Sequence, residues 1–288
     1  MFSLNLLGPV TAAINGRPFG RFGTIRGQAL LIYLALENDR AHQREALMHL
    51  LWPDMPLKSA QGNLRQTLYL LRKALEDAGV AESPFLTARQ TVQINPDFLL
   101  AVDVPQFESD VAAGTPQNRQ AAADLYRGPF LSDFFLPDSE PYEAWAAGRR
   151  AAYGRLALDN LHYLAANYLT EAAYAAAEET ARRALALDDL HEPAQRQLIE
   201  ALAGGGDIRA AIDHYEGFRR RLAEELDVEP SPATQTLVEA IRRGDLPLKQ
   251  VEVETAVAEP ARVPRENLPA QTKPFIGREA ELQLSLIH

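Results

Sequence analysis

The chain has 288 residues, of which 47% are hydrophobic and 24% are charged, and it carries a formal net charge of −10. This length allows two compact domains, because single hydrophobic cores usually stop growing beyond about 250 residues. The absence of cysteine excludes disulfides, thiolate nucleophiles and cysteine-ligated zinc. No apolar run reaches the ~20 residues that span a bilayer, and the first residues lack the pattern of a secretion signal. We therefore expect a globular cytoplasmic protein with no membrane contact.

The charge is distributed unevenly along the chain. Residues 1–100 contain ten Lys or Arg and eight Asp or Glu, whereas residues 101–247 contain fourteen basic and twenty-five acidic residues. A DNA-binding surface depends on its local field and not on the total charge of the chain. The negative total consequently does not exclude a nucleic-acid partner for the first hundred residues.

The beginning of the chain predicts paired strands followed by two helices. Alternating apolar residues and the turn signal Asn15-Gly16 predict strands over the first 18 residues. The helical period begins at Arg26, and the first helix is predicted to end near Glu37. A second helix is predicted over about residues 43–51, before a connection bounded by prolines.

A third helix and a short hairpin complete this region. Ser59 is a suitable N-cap for a helix that runs to about Asp77, where Gly79 supplies a stop. Residues 85–87 and 91–94 are two short β-type segments, and the three residues between them predict a tight turn. The predicted order is therefore strands, three helices and a hairpin.

The third helix has one apolar and one polar face. Its leucines share one side of the helix, namely Leu64, Leu68, Leu71 and Leu75, and we predict that they form the core. The opposite half presents Lys58, Ser59, Arg65, Gln66, Tyr69 and Lys73, with Arg72 towards its edge. Four basic residues and no acidic residue occur between positions 58 and 73, although the chain as a whole is acidic.

This polar face is a candidate DNA-binding surface. Arg and Lys neutralise phosphates, and Arg and Gln form paired hydrogen bonds with base edges in the major groove. The alternative is the solvated face of a structural helix. The hairpin tip, with Arg89 and Gln90, is a second candidate contact, and its alternative is an ordinary surface turn.

The remainder of the chain is rich in helix-forming residues and contains an internal repeat. Apolar and small positions recur with an offset of 34 residues, the tetratricopeptide period, as in Leu164 and Leu198, Tyr174 and Ile208, and Ala177 and Ala211. Gly204-Gly-Gly206 predicts the turn between the two helices of the second unit. The alternative is a helical bundle with accidental spacing.

After about Leu246 the composition becomes Pro-rich, which predicts a linker.

Enzymatic function is not expected. The chain has no phosphate-loop, nucleophile-elbow, zinc-protease or dinucleotide-binding motif, and its six histidines are scattered. We therefore expect no catalytic residue, no metal and no cofactor.

Several segments together resemble the Streptomyces antibiotic regulatory protein (SARP) family of activators. The matching segments are residues 27–36 (GQALLIYLAL), 51–56 (LWPDMP), 59–75 (SAQGNLRQTLYLLRKAL), 126–130 (YRGPF), 143–145 (EAW) and 220–231 (RRLAEELDVEPS). Residues 268–281 (LPAQTKPFIGREAE) are similar to the entry of the signal-transducing ATPase module of larger family members.

The resemblance implies a mainly α fold with a small β component. It implies a winged helix-turn-helix domain of the OmpR/PhoB type over residues 1–100. A bacterial transcriptional activation domain of tetratricopeptide-like helices would cover 101–246, and a Pro-rich linker and truncated start of an ATPase module would cover 247–288. The function implied is sequence-specific activation of transcription, with double-stranded DNA and with RNA polymerase or a second protomer as partners. The alternative is a repeat-type adaptor whose winged helix contacts protein.

Overall fold

The computed structural model describes residues 1–20, 22–80 and 82–245, and these form a mainly helical fold with two small sheets. The strands are β1 (Phe2–Asn5), β2 (Thr11–Ile14), β3 (Arg17–Pro18), β4 (His42–Gln43), β5 (Phe85–Thr87), β6 (Thr91–Ile94) and β7 (Leu100–Val102). The first helices are α1 (Ile25–Leu36), α2 (Arg44–Leu51) and α3 (Leu57–Asp77). The later helices are α4 (Asp103–Ala113), α5 (Pro116–Leu125), α6 (Glu140–Thr170), α7 (Tyr174–Leu185), α8 (Glu192–Gly204), α9 (Ile208–Leu226) and α10 (Pro232–Arg243). The mainly α class with a small β component is confirmed.

The first sheet has the strand order β3-β2-β1-β7, with β1 antiparallel to β2 and parallel to β7. Asn15 and Gly16 join β2 to β3 with φ values of 50° and 79°, the left-handed pair that a two-residue hairpin turn needs. The predicted turn is confirmed. The prediction did not include β7, which comes from a segment about 95 residues away and completes this sheet.

The second sheet has the order β4-β6-β5 and joins the hairpin to the helices. β5 and β6 have the predicted bounds, while β4 is a two-residue strand before α2 that pairs with β6. Because His42 and Gln43 pair with Val92 and Thr91, the beginning of α2 lies beside the hairpin.

Helix α3 begins two residues earlier than predicted, so the assignment of Ser59 as its N-cap is wrong. The N-cap is Pro56, and the Ser59 backbone N–H donates a hydrogen bond of 2.9 Å to the Pro56 carbonyl. The ring of Pro56 holds φ at −55°, so that the chain enters the helix directly after it. This local constraint outweighs the capping preference of Ser59.

The predicted leucine face of α3 forms part of a large hydrophobic core. Leu64, Leu68, Leu71 and Leu75 are all buried. The same cluster contains residues of the first sheet and of α1 and α2, and it continues to Phe130, Tyr142 and Trp145. Side chains on both sides of residue 100 thus share one core, and the exact boundary between two domains there stays a prediction.

The later helices pack as successive neighbours, α6 on α7, α7 on α8 and α8 on α9. Ala177 and Ala211, which are 34 residues apart, are both completely buried where these helices approach each other. The predicted turn lies between α8 and α9, with Gly206 at a φ of 94°.

The predicted linker and ATPase entry over 247–288 lie outside the described residues. Across the described ranges, no helix is long and apolar enough to cross a bilayer.

Candidate nucleic-acid interface

The polar half of α3 is open to solvent. The exposed predicted residues of this helix are Lys58, Ser59, Arg65, Gln66, Tyr69 and Lys73, whereas Arg72 is partly buried. The side chain of Tyr69 is 56% exposed although its phenol is a large apolar group. Leucines on the other side of the helix are buried in the core, so the α3 backbone is held rigidly behind this surface.

The hairpin tip lies next to the same helix and is fastened to it. The Arg72 guanidinium Nη2 donates a 3.0 Å hydrogen bond to the Thr87 hydroxyl at the end of β5. Arg89 and Gln90 are exposed in the turn that follows. The structure therefore brings the two predicted groups of residues, those on α3 and those at the hairpin tip, onto neighbouring elements.

Arg44, the first residue of α2, also belongs to this surface and was missed by sequence reasoning. Its backbone N–H donates to the Gln90 carbonyl at 2.8 Å, and its guanidinium Nε donates to the Ala88 carbonyl at 3.3 Å. Burial lowers the pKa of Arg44, and the positive charges of Arg72 and Arg65 lower it further. Both α3 arginines therefore act electrostatically on Arg44.

Arg44 is difficult to predict because its position depends on β4. A two-residue strand leaves no periodic pattern in the sequence. The available signal was a basic residue at the beginning of a helix, where the positive end of the helix dipole disfavours it. A residue type that opposes the local electrostatics points to a role outside the helix.

The basic side chains of this surface have no carboxylate as an ion-pair partner within the part of the chain that the structure describes. Lys58, Arg65, Arg72, Lys73 and Arg89 form no ion pair there. Most ion pairs in the described residues belong to α6–α10 and the connections between them. The surface is thus a basic patch with its charge available to an anionic partner.

The described residues contain no group of three or more His, Asp or Glu side chains placed to hold a metal ion. The donors of the basic patch are guanidinium, amide, hydroxyl and ammonium groups. Guanidinium and ammonium groups have no lone pair to offer a cation, and their N–H donors bind anions and base edges.

Comparisons with known proteins find similarity to bacterial regulatory proteins. Residues 102–242 match the family model of the bacterial transcriptional activator domain. The chain is 28% identical to the regulatory protein AfsR of Streptomyces coelicolor, over 96% of this chain and 28% of that protein. It is also 28% identical to the transcriptional regulatory protein EmbR of Mycobacterium tuberculosis, over 44% of this chain and 36% of that protein. The chain thus spans about a third or less of the length of these relatives.

A solved structure supports the fold. The structure of Mycobacterium tuberculosis EmbR in complex with a low-affinity phosphopeptide matches with a TM-score of 0.66 and 24% sequence identity. The match covers 86% of this chain and 66% of that chain. The chain therefore contains a region similar to the bacterial transcriptional activator domain, and the relatives that it resembles are regulatory proteins.

Proposed function

We propose that this protein is a sequence-specific DNA-binding activator of transcription. The observation that carries the proposal is the exposed polar face of α3, which has four basic residues, no carboxylate between positions 58 and 73 and no internal ion pair in the described residues. The strands, three helices and hairpin before residue 100 have the order of a winged helix-turn-helix domain, in which the third helix is the recognition helix.

In this proposal α3 lies in the major groove. Arg65 and Gln66 point away from the buried leucines and have the side chains that form bidentate hydrogen bonds with guanine and adenine. Lys58, Lys73 and the edge residue Arg72 are placed to contact phosphates on either side. Arg89 and Gln90, at the hairpin tip, reach the neighbouring backbone or minor groove.

The helical region after residue 100 serves as the protein-binding part. Residues 101–247 have eleven more acidic than basic side chains, so this region is repelled by a duplex unless it faces away from it. Successive helical hairpins of the tetratricopeptide type form grooves that bind protein segments. We infer that this region contacts RNA polymerase or a second protomer.

An adaptor is the rival function, in which the basic patch contacts an acidic protein. In vitro selection of binding sites with the full chain, followed by anisotropy titrations at several salt concentrations, separates the two. The proposal predicts a selected sequence that binds at least ~10³-fold better than random duplex, and an affinity that falls steeply with salt. An absence of selected sequence and of salt-dependent duplex binding would support the adaptor.

A further inference from the structure

Two arginines from two helices, Arg44 and Arg72, meet at the base of the hairpin. Arg44 begins α2, and Arg65 and Arg72 lie seven residues apart on α3, so they are on the same side of that helix. The charges of both α3 arginines act on the guanidinium of Arg44. Like charges repel, so an anion beside Arg44 and Arg72 would be attracted by both groups.

The side chains of Arg44 and Arg72 are held in place by the hairpin itself. Arg44 Nε donates to the carbonyl of Ala88, and Arg72 Nη2 donates to the hydroxyl of the preceding residue, Thr87. The Arg44 backbone N–H binds Gln90, so this arginine has two hydrogen bonds to the hairpin turn. These hydrogen bonds fix the two guanidinium groups at Thr87 and Ala88, the last residue of β5 and the residue after it.

Both guanidinium groups have donors left over. A guanidinium carries five N–H donors, and each of these two uses one in hydrogen bonds within the described residues. The Arg72 Nε atom is buried and has no hydrogen-bond partner there. Neither arginine has a carboxylate partner among the described side chains. Fixed, unpaired donors on two converging cations match the recognition of a tetrahedral oxyanion.

We propose that Arg44 and Arg72 together hold one backbone phosphate of duplex DNA at the junction of α2, α3 and the hairpin. This inference rests on the proposed function and adds to it a preformed phosphate site that includes a residue outside the recognition helix. Its contribution is independent of base sequence, because a phosphate oxygen is the same in every nucleotide. The bound phosphate offsets the repulsion of Arg44 by the α3 arginines and fixes the position of the hairpin relative to α3.

Substitution of Arg44 by Gln tests this site in the full chain. The matched control is Arg17→Gln, which removes the same charge from an exposed side chain on β3 of the other sheet. Dissociation constants are measured by fluorescence anisotropy on the selected operator and on a random duplex, between about 50 and 200 mM salt.

Arg44→Gln is expected to weaken binding to both duplexes by a similar factor, roughly five- to tenfold at about 0.1 M salt. The slope of log K against log salt is expected to fall in magnitude by about one. Arg17→Gln leaves both quantities unchanged.

Arg44→Lys separates charge from geometry and covers the case in which Arg44→Gln fails to fold. Lysine keeps the charge and loses the planar fork, so the salt slope is expected to stay near that of the wild type while affinity falls by a smaller factor. The inference is overturned if Arg44→Gln folds and binds both duplexes like Arg17→Gln, or if Arg44→Lys loses the slope. A wild-type protein that binds neither duplex would instead overturn the proposed function itself.

Discussion

The guanidinium of Arg149 on α6 donates a hydrogen bond to the carboxylate of Glu37 at the end of α1, although 112 residues separate them. The indole N–H of Trp145 donates to the same carboxylate oxygen at 3.0 Å. Glu37 is 3% exposed and Arg149 is 8% exposed, so the pair is removed from water. The ring of Tyr33 packs edge-on against Trp145 beside it. This contact connects α1, which precedes the basic patch in the chain, to α6 in the acidic part of the chain.

Breaking this pair is expected to destabilise the whole protein. Glu37→Gln leaves the buried Arg149 charge without its partner and should lower the free energy of unfolding by roughly 3–5 kcal/mol. The control is Glu178→Gln, which removes the exposed pair of Glu178 with Arg182 and should cost less than about 0.5 kcal/mol. Chemical denaturation followed by tryptophan fluorescence measures both. Equal small losses would show that the buried pair does not hold the two parts together.

The core face of α3 and the hairpin tip are expected to respond differently to substitution by alanine. Leu68 is 3% exposed in the core, so Leu68→Ala should lower the free energy of unfolding by about 2–5 kcal/mol. Arg89 is exposed at the hairpin tip, so Arg89→Ala should leave stability nearly unchanged and weaken DNA binding. Thermal unfolding and anisotropy of both variants measure this. Equal destabilisation would mean that the assignment of the faces is incorrect.

A close contact between α7 and α8 makes one glycine of the helical repeat sensitive to substitution. A Cβ on Gly204 would lie 2.2 Å from the nearest ring atom of Tyr174, whereas a Cβ on Gly217 of α9 would meet nothing within 4 Å. Gly204→Ala should therefore lower the free energy of unfolding by about 1–3 kcal/mol. Gly217→Ala should be neutral or stabilising by up to about 1 kcal/mol, because alanine favours a helix. Similar effects of the two substitutions in urea denaturation would contradict this packing.

The stability of the helical region is expected to fall in mild acid because of His214. Burial, followed by the positive charges of Arg182 and Arg221, lowers the pKa of His214 from 6.5 to about 4. Between these two values the unfolded chain binds a proton that the folded chain does not, so this contribution to stability is complete above about pH 6.5 and is lost as the pH falls to about 4.

The substitution His214→Gln isolates this contribution and retains an amide that can hydrogen-bond to Gln195, the present partner of His214. Between pH 7 and pH 4 the wild type should lose more free energy of unfolding than His214→Gln. His49→Gln, at an exposed position of α2, is the control and should follow the wild type. Parallel pH profiles of wild type and His214→Gln would refute the assignment.

The local features of the fold were predictable because short-range signals determine them. The Asn15-Gly16 turn, the buried leucines of α3 and the hairpin strands follow from residue conformation and from periodicity over a few turns. The burial of Ala177 and Ala211 follows from the 34-residue repeat, which extends over more than one helix.

The features that were missed depend on partners distant in the chain. The pairing of β7 with β1 and the contact of Glu37 with Arg149 join segments about 100 residues apart, and no local pattern marks them. Arg44 joins the basic patch because β4 pairs with β6, and that strand is too short to detect. The early start of α3 depends on Pro56 as its N-cap, and proline has no side-chain oxygen that would mark it as a cap in the sequence.

The recognition role of α3 is tested most directly by the double substitution Arg65→Ala and Gln66→Ala. Both side chains are exposed on the polar face and neither supports the core, so the thermal unfolding midpoint should stay close to that of the wild type. Binding to the selected operator is expected to weaken by about 1–3 kcal/mol for each lost bidentate pair, with a smaller change on random duplex. The measurement is the ratio of the two dissociation constants. A ratio that falls towards one is the predicted result, and a folded variant with unchanged affinity for the operator would contradict the assignment of α3 as the recognition helix.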